Sequence, residues 1–319
     1  MLLRAISSPD GQTGTEGASL GNLALAAMES EAPVLKYAQF YSMTGNADNI
    51  TTPSTIAGGS SRVINDDYDG ETTEQAETSV TLKIMGDKVL TDISLARRGY
   101  TIQQERVRQL ESFSKGLGRY LTDQIINGTG ADGQITGIAT AIGTGAQLVK
   151  YVGNDGATVT IGNDNTAKGK QQTFLEYLDN IIGMVPGGAE VLFMNRQWIA
   201  RLKSIAREYV SISTLEAFGV KADILMYNNV PIVNTGYAKN NSTQVIGIAE
   251  TLGGSTDCSS IYAVRFGERE NVTLATNKGL QVKDLGVVGV HYTTLLDMDV
   301  EQVIVNAKAA VRLAGLRLG

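Results

Sequence analysis

The chain holds one cysteine, Cys258, and one histidine, His291, in 319 residues. A lone cysteine excludes an internal disulfide framework and suits a reducing compartment. A lone histidine excludes a His–His metal pair within one subunit, and any Ser–His–Asp triad would have to run through His291. Cys258 lies in Thr256-Asp257-Cys258-Ser259, with no C-x-x-C partner, and reads as a structural thiol. Proline is scarce, at five, against 36 glycines; that balance suits strands and irregular loops more than a helical bundle. No apolar run approaches the ~20 residues that cross a bilayer. Met1-Leu2-Leu3-Arg4 does not open a secretory signal, and the apolar stretch 23–28 is short and lacks a basic flank. The sequons at Asn49, Asn127 and Asn271 then read as chance. An excess of base is also missing. The net charge of −6 argues against a general nucleic-acid binder, yet it permits a container for nucleic acid.

Two motifs resemble ligand sites and lack a part each needs. Gly128-Thr129-Gly130-Ala131-Asp132-Gly133 fits G-x-G-x-x-G, with Asp155 about twenty residues on. A dinucleotide loop needs a strand before it and a helix after it; here a helix precedes and none is expected to follow. Asn65-Asp66-Asp67-Tyr68-Asp69-Gly70 matches half of a calcium loop, but position twelve is Ala76 rather than a bidentate Glu. No P-loop is present. No catalytic, cofactor or metal residues are therefore assigned.

Periodicity places the elements. Residues 1–45 read as an extended arm, with helical spacing only over 23–40. Residues 46–59 read as a polar linker. Val80, Leu82 and Ile84 alternate with Thr81 and Lys83, which predicts a half-buried strand, with 62–64 as its partner and an acidic loop between. Leu110, Phe113, Leu117, Leu121 and Ile125 recur at helical spacing, so 103–126 is the main helix. Thr101 and Gln104 form a capping-box candidate at its start, and Gly128 a C′ residue at its end. Gly116 and Gly118 within it suit close backbone approach by a neighbour. A strand at 157–161, a helix bearing Phe174 and Leu178, the strand 191–194 and a helix over 197–207 suggest a small α/β subdomain, with Asn195 as cap. Asn228-Asn229 joins the strands of a hairpin. Further strands are expected at 244–249, 260–266, 279–283, 287–292 and 301–313.

The run from this helix through Asn127-Gly128-Thr129-Gly130 to Thr136-Gly137-Ile138 resembles the spine helix and following loop of tailed-bacteriophage major capsid proteins, the Hong Kong 97-like family. Val191-Leu192-Phe193-Met194-Asn195, Asn229-Val230-Pro231-Ile232-Val233 and Asn306-Ala307-Lys308-Ala309-Ala310-Val311 are similar to that family's later strands. The likeness runs from about residue 79 to the C-terminus and is one of order and wording. Asn229 stands where the family often has glycine, and no long charged scaffold segment is present. The resemblance implies an α+β fold: a 1–45 N-terminal arm, a 46–90 extended β-hairpin loop, a 91–167 peripheral domain with the spine helix, a 168–258 axial domain and 259–319 closing strands. It implies a non-enzymatic shell subunit, self-assembling into hexamers and pentamers around double-stranded DNA. Separate scaffolding and portal proteins, no cofactor, no membrane, assembly in the host cytoplasm and residence in the virion go with it. An encapsulin-type nanocompartment and another virion protein, such as a tail component, remain alternatives.

Charge adds a contact to that expectation. Residues 63–82 hold six acids (Asp66, Asp67, Asp69, Glu71, Glu74, Glu77) and no Lys or Arg. Residues 97–119 hold Arg97, Arg98, Arg106, Arg108, Lys115 and Arg119 against Glu105 and Glu111. In the family resembled, the extended loop of one subunit lies across the spine helix of its neighbour. Opposite charge on the two segments suits such a latch, though two separately solvated faces would read the same way.

Overall fold

The computed structural model describes residues 15–318, apart from 56, 100, 161, 163, 206–210 and 218–219, and is organised around one long helix. Side chains 15–20, 53–55, 96, 97, 211–217 and 220–224 lie outside that description. The elements in chain order are α1 (Thr15–Glu31), β1 (Phe40–Ser42), β2 (Ala47–Thr55), β3 (Glu74–Thr81), β4 (Lys83–Asp92) and α2 (Ile102–Asn127). Then come α3 (Ile138–Ile142), β5 (Leu148–Lys150), β6 (Ala157–Val159), α4 (Asn165–Met184), β7 (Val191–Met194) and α5 (Arg196–Ile205). The chain closes with β8 (Ser211–Ala217), β9 (Val220–Tyr227), β10 (Val230–Asn234), β11 (Glu250–Leu252), β12 (Ser255–Val264), β13 (Val272–Thr276), β14 (Gln281–Val288), β15 (His291–Ile304) and β16 (Ala310–Leu318).

Three sheets form among the described residues. A five-stranded sheet runs β1-β13-β15-β14, with β4 on the other side of β15. A nine-stranded sheet runs β5-β16-β12-β7-β10-β9-β8, with β6 on β16 and β11 on β12. β2 and β3 form a separate two-stranded hairpin. One core joins α1, α2 and the five-stranded sheet through Met28, Leu110, Leu117, Leu121, Ile125 and Leu296. A second lies between the nine-stranded sheet and α4 and α5, around Phe174, Leu178, Trp198 and Phe174's neighbour Tyr151. A small third core, with Tyr41, Ile50, Val80, Leu82 and Val303, seats the root of the β2–β3 hairpin.

The long helix is built as its apolar spacing predicts. Leu110, Leu117, Leu121 and Ile125 are buried, while Phe113 is only partly so. Thr101 is the N-cap residue, but its side chain makes no capping hydrogen bond. Gly128 ends the helix at φ −52°, not in the left-handed region. It is glycine for space: a Cβ there would lie 2.3 Å from the Ile135 carbonyl oxygen. Gly118 is likewise a contact point, since a Cβ would lie 2.4 Å from the Met28 carbonyl of α1. Gly116 meets nothing within 4 Å.

Several expectations are corrected. The described part of the N-terminal region is not an extended arm: α1 packs on α2, burying Ala24 and Met28, and Arg119 holds Glu31 at 2.7 Å. The partner of β3 is β2, not 62–64, which lies exposed at the hairpin tip; the threonines of the supposed linker at 51 and 52 pair with Glu77 and Ala76. A short helix, α3, does follow the glycine loop, though with five residues it starts after Gly137 and not at the glycines. Residues 244–249 form only a bridge from Gln244 to Tyr237. The stretch 287–292 is the end of β14, a turn at Gly289 (φ +63°) and the start of β15. The stretch 301–313 is likewise two strands, split by a 3-10 turn at Ala307–Ala309 that Asn306 caps. β13 and β5 carried too short a pattern to be singled out. Asn195 does cap α5, accepting from the Gln197 N–H at 2.8 Å. Both Asn228 (φ +47°) and Asn229 (φ +63°) are left-handed, as a two-residue hairpin turn requires.

Candidate functional site

The surface that the fold cannot bury for itself is the β2–β3 hairpin. Its root is fixed by the third core, but its tip, residues 57–73, touches no core cluster. Asp66, Asp67, Asp69 and Glu71 are exposed on that tip, and Glu74 and Glu77 are exposed on β3. The tip is ordered by its own bonds. Gly58 N–H donates to Glu71 Oε2 at 2.9 Å and Ala57 N–H to Thr73 Oγ1 at 3.2 Å. Arg62, just before the acidic run, donates to the Asp66 carbonyl at 3.1 Å and stacks over Tyr68. The half calcium loop, 65–70, lies within this exposed tip, and no three-residue metal cluster occurs among the described residues.

The bases of the spine region are unequal. Arg106 Nη2 meets Asp284 Oδ2 at 2.6 Å and Thr294 Oγ1 at 3.3 Å, and its guanidinium lies 5.2 Å from the Tyr292 ring centre. It is engaged inside its own subunit. Arg108 pairs with Glu105 at 3.0 Å but stays 73% exposed, so its charge still faces outward. Lys115 pairs with Glu111 along the helix. Arg98 is exposed, and the side chain of Arg97 lies outside the described residues. Among the described residues no ion pair joins the hairpin acids to these bases within one subunit.

A cavity of about 600 Å³ opens at the hairpin root, between β3, the loop 130–147 and the end of β15. Its buried acid, Glu301, was not anticipated. Glu301 Oε1 accepts from the Thr136 N–H at 2.9 Å and the Gln302 N–H at 3.1 Å. Burial pushes its carboxyl above the ordinary carboxylate value, against those two hydrogen bonds and the nearby Lys83 charge. It ties the glycine loop to the central strand. The glycine loop itself folds back on a Thr129–Thr136 bridge, so its amides serve the loop. Cys258 is fully buried and its thiol is pushed up, first by burial and then by Asp257, which is the reverse of an activated nucleophile. His291 pairs across the sheet with Asp92.

A long helix lying against a five-stranded sheet, a second α/β unit and a projecting hairpin together define the Hong Kong 97-like shell fold, and comparison with solved structures agrees. The chain is similar to the holo-SrpI encapsulin complex of Synechococcus elongatus PCC 7942, at 13% identity and TM-score 0.62, covering 89% of this chain and 87% of that one. It is similar to the capsid of a native GTA particle, at 14% identity and TM-score 0.56, covering 90% of each chain. It is also similar to a Mycobacterium phage Bobi structure, at 12% identity and TM-score 0.57, covering 90% of this chain and 91% of that one. No protein-family model and no curated protein sequence matches the chain.

Proposed function

We propose that this chain is the major structural subunit of an icosahedral viral shell, a capsid protein of the tailed-bacteriophage type. The observation that carries the reading is the hairpin: a β-ribbon ending in an exposed tip that has no core of its own. An isolated two-stranded ribbon is marginal in water, so its energy must come from a neighbour. The coverage of solved shell subunits along nearly their whole length supports the same conclusion. The subunit would build rings of five and six, use separate scaffolding and portal proteins and enclose double-stranded DNA without reading its sequence. It would assemble in the host cytoplasm, reside in the virion and have no catalytic role. The division into arm, extended loop, peripheral and axial domains belongs to this reading, with the arm's described part now a helix against the spine. A nanocompartment shell is the second reading, favoured by the similarity to the encapsulin structure. Nuclease treatment of purified native particles separates the two: protected double-stranded DNA supports a virus, and enclosed protein without DNA supports a nanocompartment.

Within that reading, the hairpin acids of one subunit would latch onto the spine-region bases of the next. Arg98 and Arg108 are the exposed members of the basic half, Arg108 while also holding Glu105, and Arg106 serves its own subunit instead. Each exposed pair contributes at most about 1 kcal/mol, but a shell repeats it many times. Changing Asp66, Asp67 and Asp69 to Lys should impair assembly at low salt, and adding Arg97→Glu with Arg98→Glu should partly restore it. Normal assembly of the triple variant, or further loss on adding the second pair, would rule out the latch.

A further inference from the structure

We propose that Asp69 is a self-modification site, where the bond to Gly70 on the hairpin tip rearranges to an isoaspartyl linkage using only the chain's own atoms and water. An aspartate or asparagine followed by glycine can close a five-membered succinimide ring, because glycine has no Cβ to shield the attacking nitrogen. The chain has five such pairs: Asp10-Gly11, Asp69-Gly70, Asn127-Gly128, Asp132-Gly133 and Asp155-Gly156. The first lies outside the described residues. Ring closure needs the glycine nitrogen to swing onto the preceding Cγ, so a peptide or side chain held by hydrogen bonds is protected. Three of the four described pairs are held. Gly128 N–H donates to the Gln124 carbonyl at 2.9 Å, and Asn127 Nδ2 donates to Asp123 Oδ1 and to the Val245 carbonyl, each at 2.8 Å. Asp155 Oδ1 accepts from the Gly254 N–H at 2.6 Å, and a Cβ on Gly156 would lie 2.1 Å from the Gly315 carbonyl oxygen. Asp132 (φ +51°) and Gly133 (φ +77°) form a turn that the Gln134 N–H closes on the Ala131 carbonyl at 2.9 Å. Turning that peptide would break the closing bond.

Asp69 and Gly70 lack these restraints. Both are exposed and neither belongs to a helix or strand. Among the described residues no hydrogen bond engages the Gly70 N–H or the Asp69 carboxylate. A Cβ on Gly70 would meet nothing within 4 Å. The bonds that order the tip lie to either side: Arg62 holds the Asp66 carbonyl at 3.1 Å, and the Gly58 N–H holds Glu71 Oε2 at 2.9 Å. The Asp69–Gly70 peptide can therefore turn without unfastening the hairpin. In the reaction the Gly70 nitrogen bonds to Asp69 Cγ, and the protonated carboxyl loses its hydroxyl with the amide proton as water. A second water then opens the ring. Addition at Cγ breaks the bond just formed and restores aspartate. Addition at the Asp69 main-chain carbonyl carbon breaks its bond to the Gly70 nitrogen, and the chain then runs through Cγ. Mass and charge return to their starting values, but the backbone of the acidic tip is one methylene longer and the carboxylate branches from Cα.

The test ages the full chain, in whichever assembly state it purifies, for weeks at neutral pH and body temperature. Trypsin then releases residues 63–83 between Arg62 and Lys83, so Asp66, Asp67 and Asp69 report from one peptide. Labelling by an isoaspartate-specific methyltransferase, with fragment masses to place the label, measures conversion at each residue. Isoaspartate at position 69 should exceed that at Asp66, Asp67, Asn127, Asp132 and Asp155 by about tenfold or more. Gly70→Val, whose side chain enters open space, should lower it by about tenfold or more, because the branched Cβ shields the nitrogen. Asp69→Glu should abolish it, since the longer side chain no longer closes a five-membered ring. Unmodified Asp69, equal conversion at Asp132 or Asp155, or an undiminished yield in Gly70→Val would overturn the inference.

Discussion

Gly118 and Gly116 lie two residues apart on the spine helix and should answer oppositely to alanine. At Gly118 the new Cβ would press on the Met28 carbonyl, and the backbone of α1 cannot yield as a side chain tip could. Gly118→Ala should cost about 1–3 kcal/mol, read as a lower denaturation midpoint. Gly116→Ala meets open space and should gain up to about 1 kcal/mol of helix propensity. Equal responses at both sites would show that α1 does not pack where described. Glu301 gives a second test, through pH. Its raised carboxyl means that the folded state holds the proton more tightly than the unfolded chain. Its contribution therefore favours folding at low pH and is lost as pH rises through the range above the ordinary carboxylate value. Glu301→Gln retains an acceptor for the Thr136 N–H and removes that slope. The Tm of the variant should fall less than that of the wild type between about pH 5 and about pH 7. An unchanged difference would contradict the burial argument. Neither residue's role could be read from the sequence. Gly118 could be suspected of close approach, but its partner lies 90 positions away in a region whose apolar residues are mostly small. Glu301 sits in an alternating strand pattern, where an acid reads as solvent-facing.

The spine helix was legible because its apolar residues recur from Leu110 to Ile125, about four turns, which no strand could imitate. Its stripe supplies the largest effects. Leu117→Ala or Leu121→Ala should cost about 2–5 kcal/mol, measured by chemical denaturation of the subunit. Phe113→Ala should cost less, since the ring is only partly buried. A Phe113→Ala loss larger than both leucine losses would put the helix in the wrong rotation. The hairpin was half legible. β3 alternates and was found, but β2 is threonine-rich, with Ile50 the one buried side chain among its described residues, so hydropathy pointed to 62–64 instead. The error at 287–292 has the same origin. Valines on both sides of a two-residue turn read as one strand, and only the left-handed Gly289 breaks it.

At the scale of the whole molecule, the order of elements carried more than any single boundary. A long helix ending in a glycine loop, an α/β unit and a set of late strands were enough to suggest the shell fold, although no family model matches and the similar structures share only 12–14% of residues. Pairing between strands far apart in sequence, such as β4 with β15, was not legible, because it depends on register that alternation alone does not specify. Nor are contacts between copies legible, since one chain records them only as surface left unburied. Electron microscopy of the purified chain measures the central claim most directly. The account predicts closed icosahedral shells, with each hairpin lying over the spine region of the next subunit. Open tubes, or dispersed single subunits at every concentration and salt tried, would contradict it.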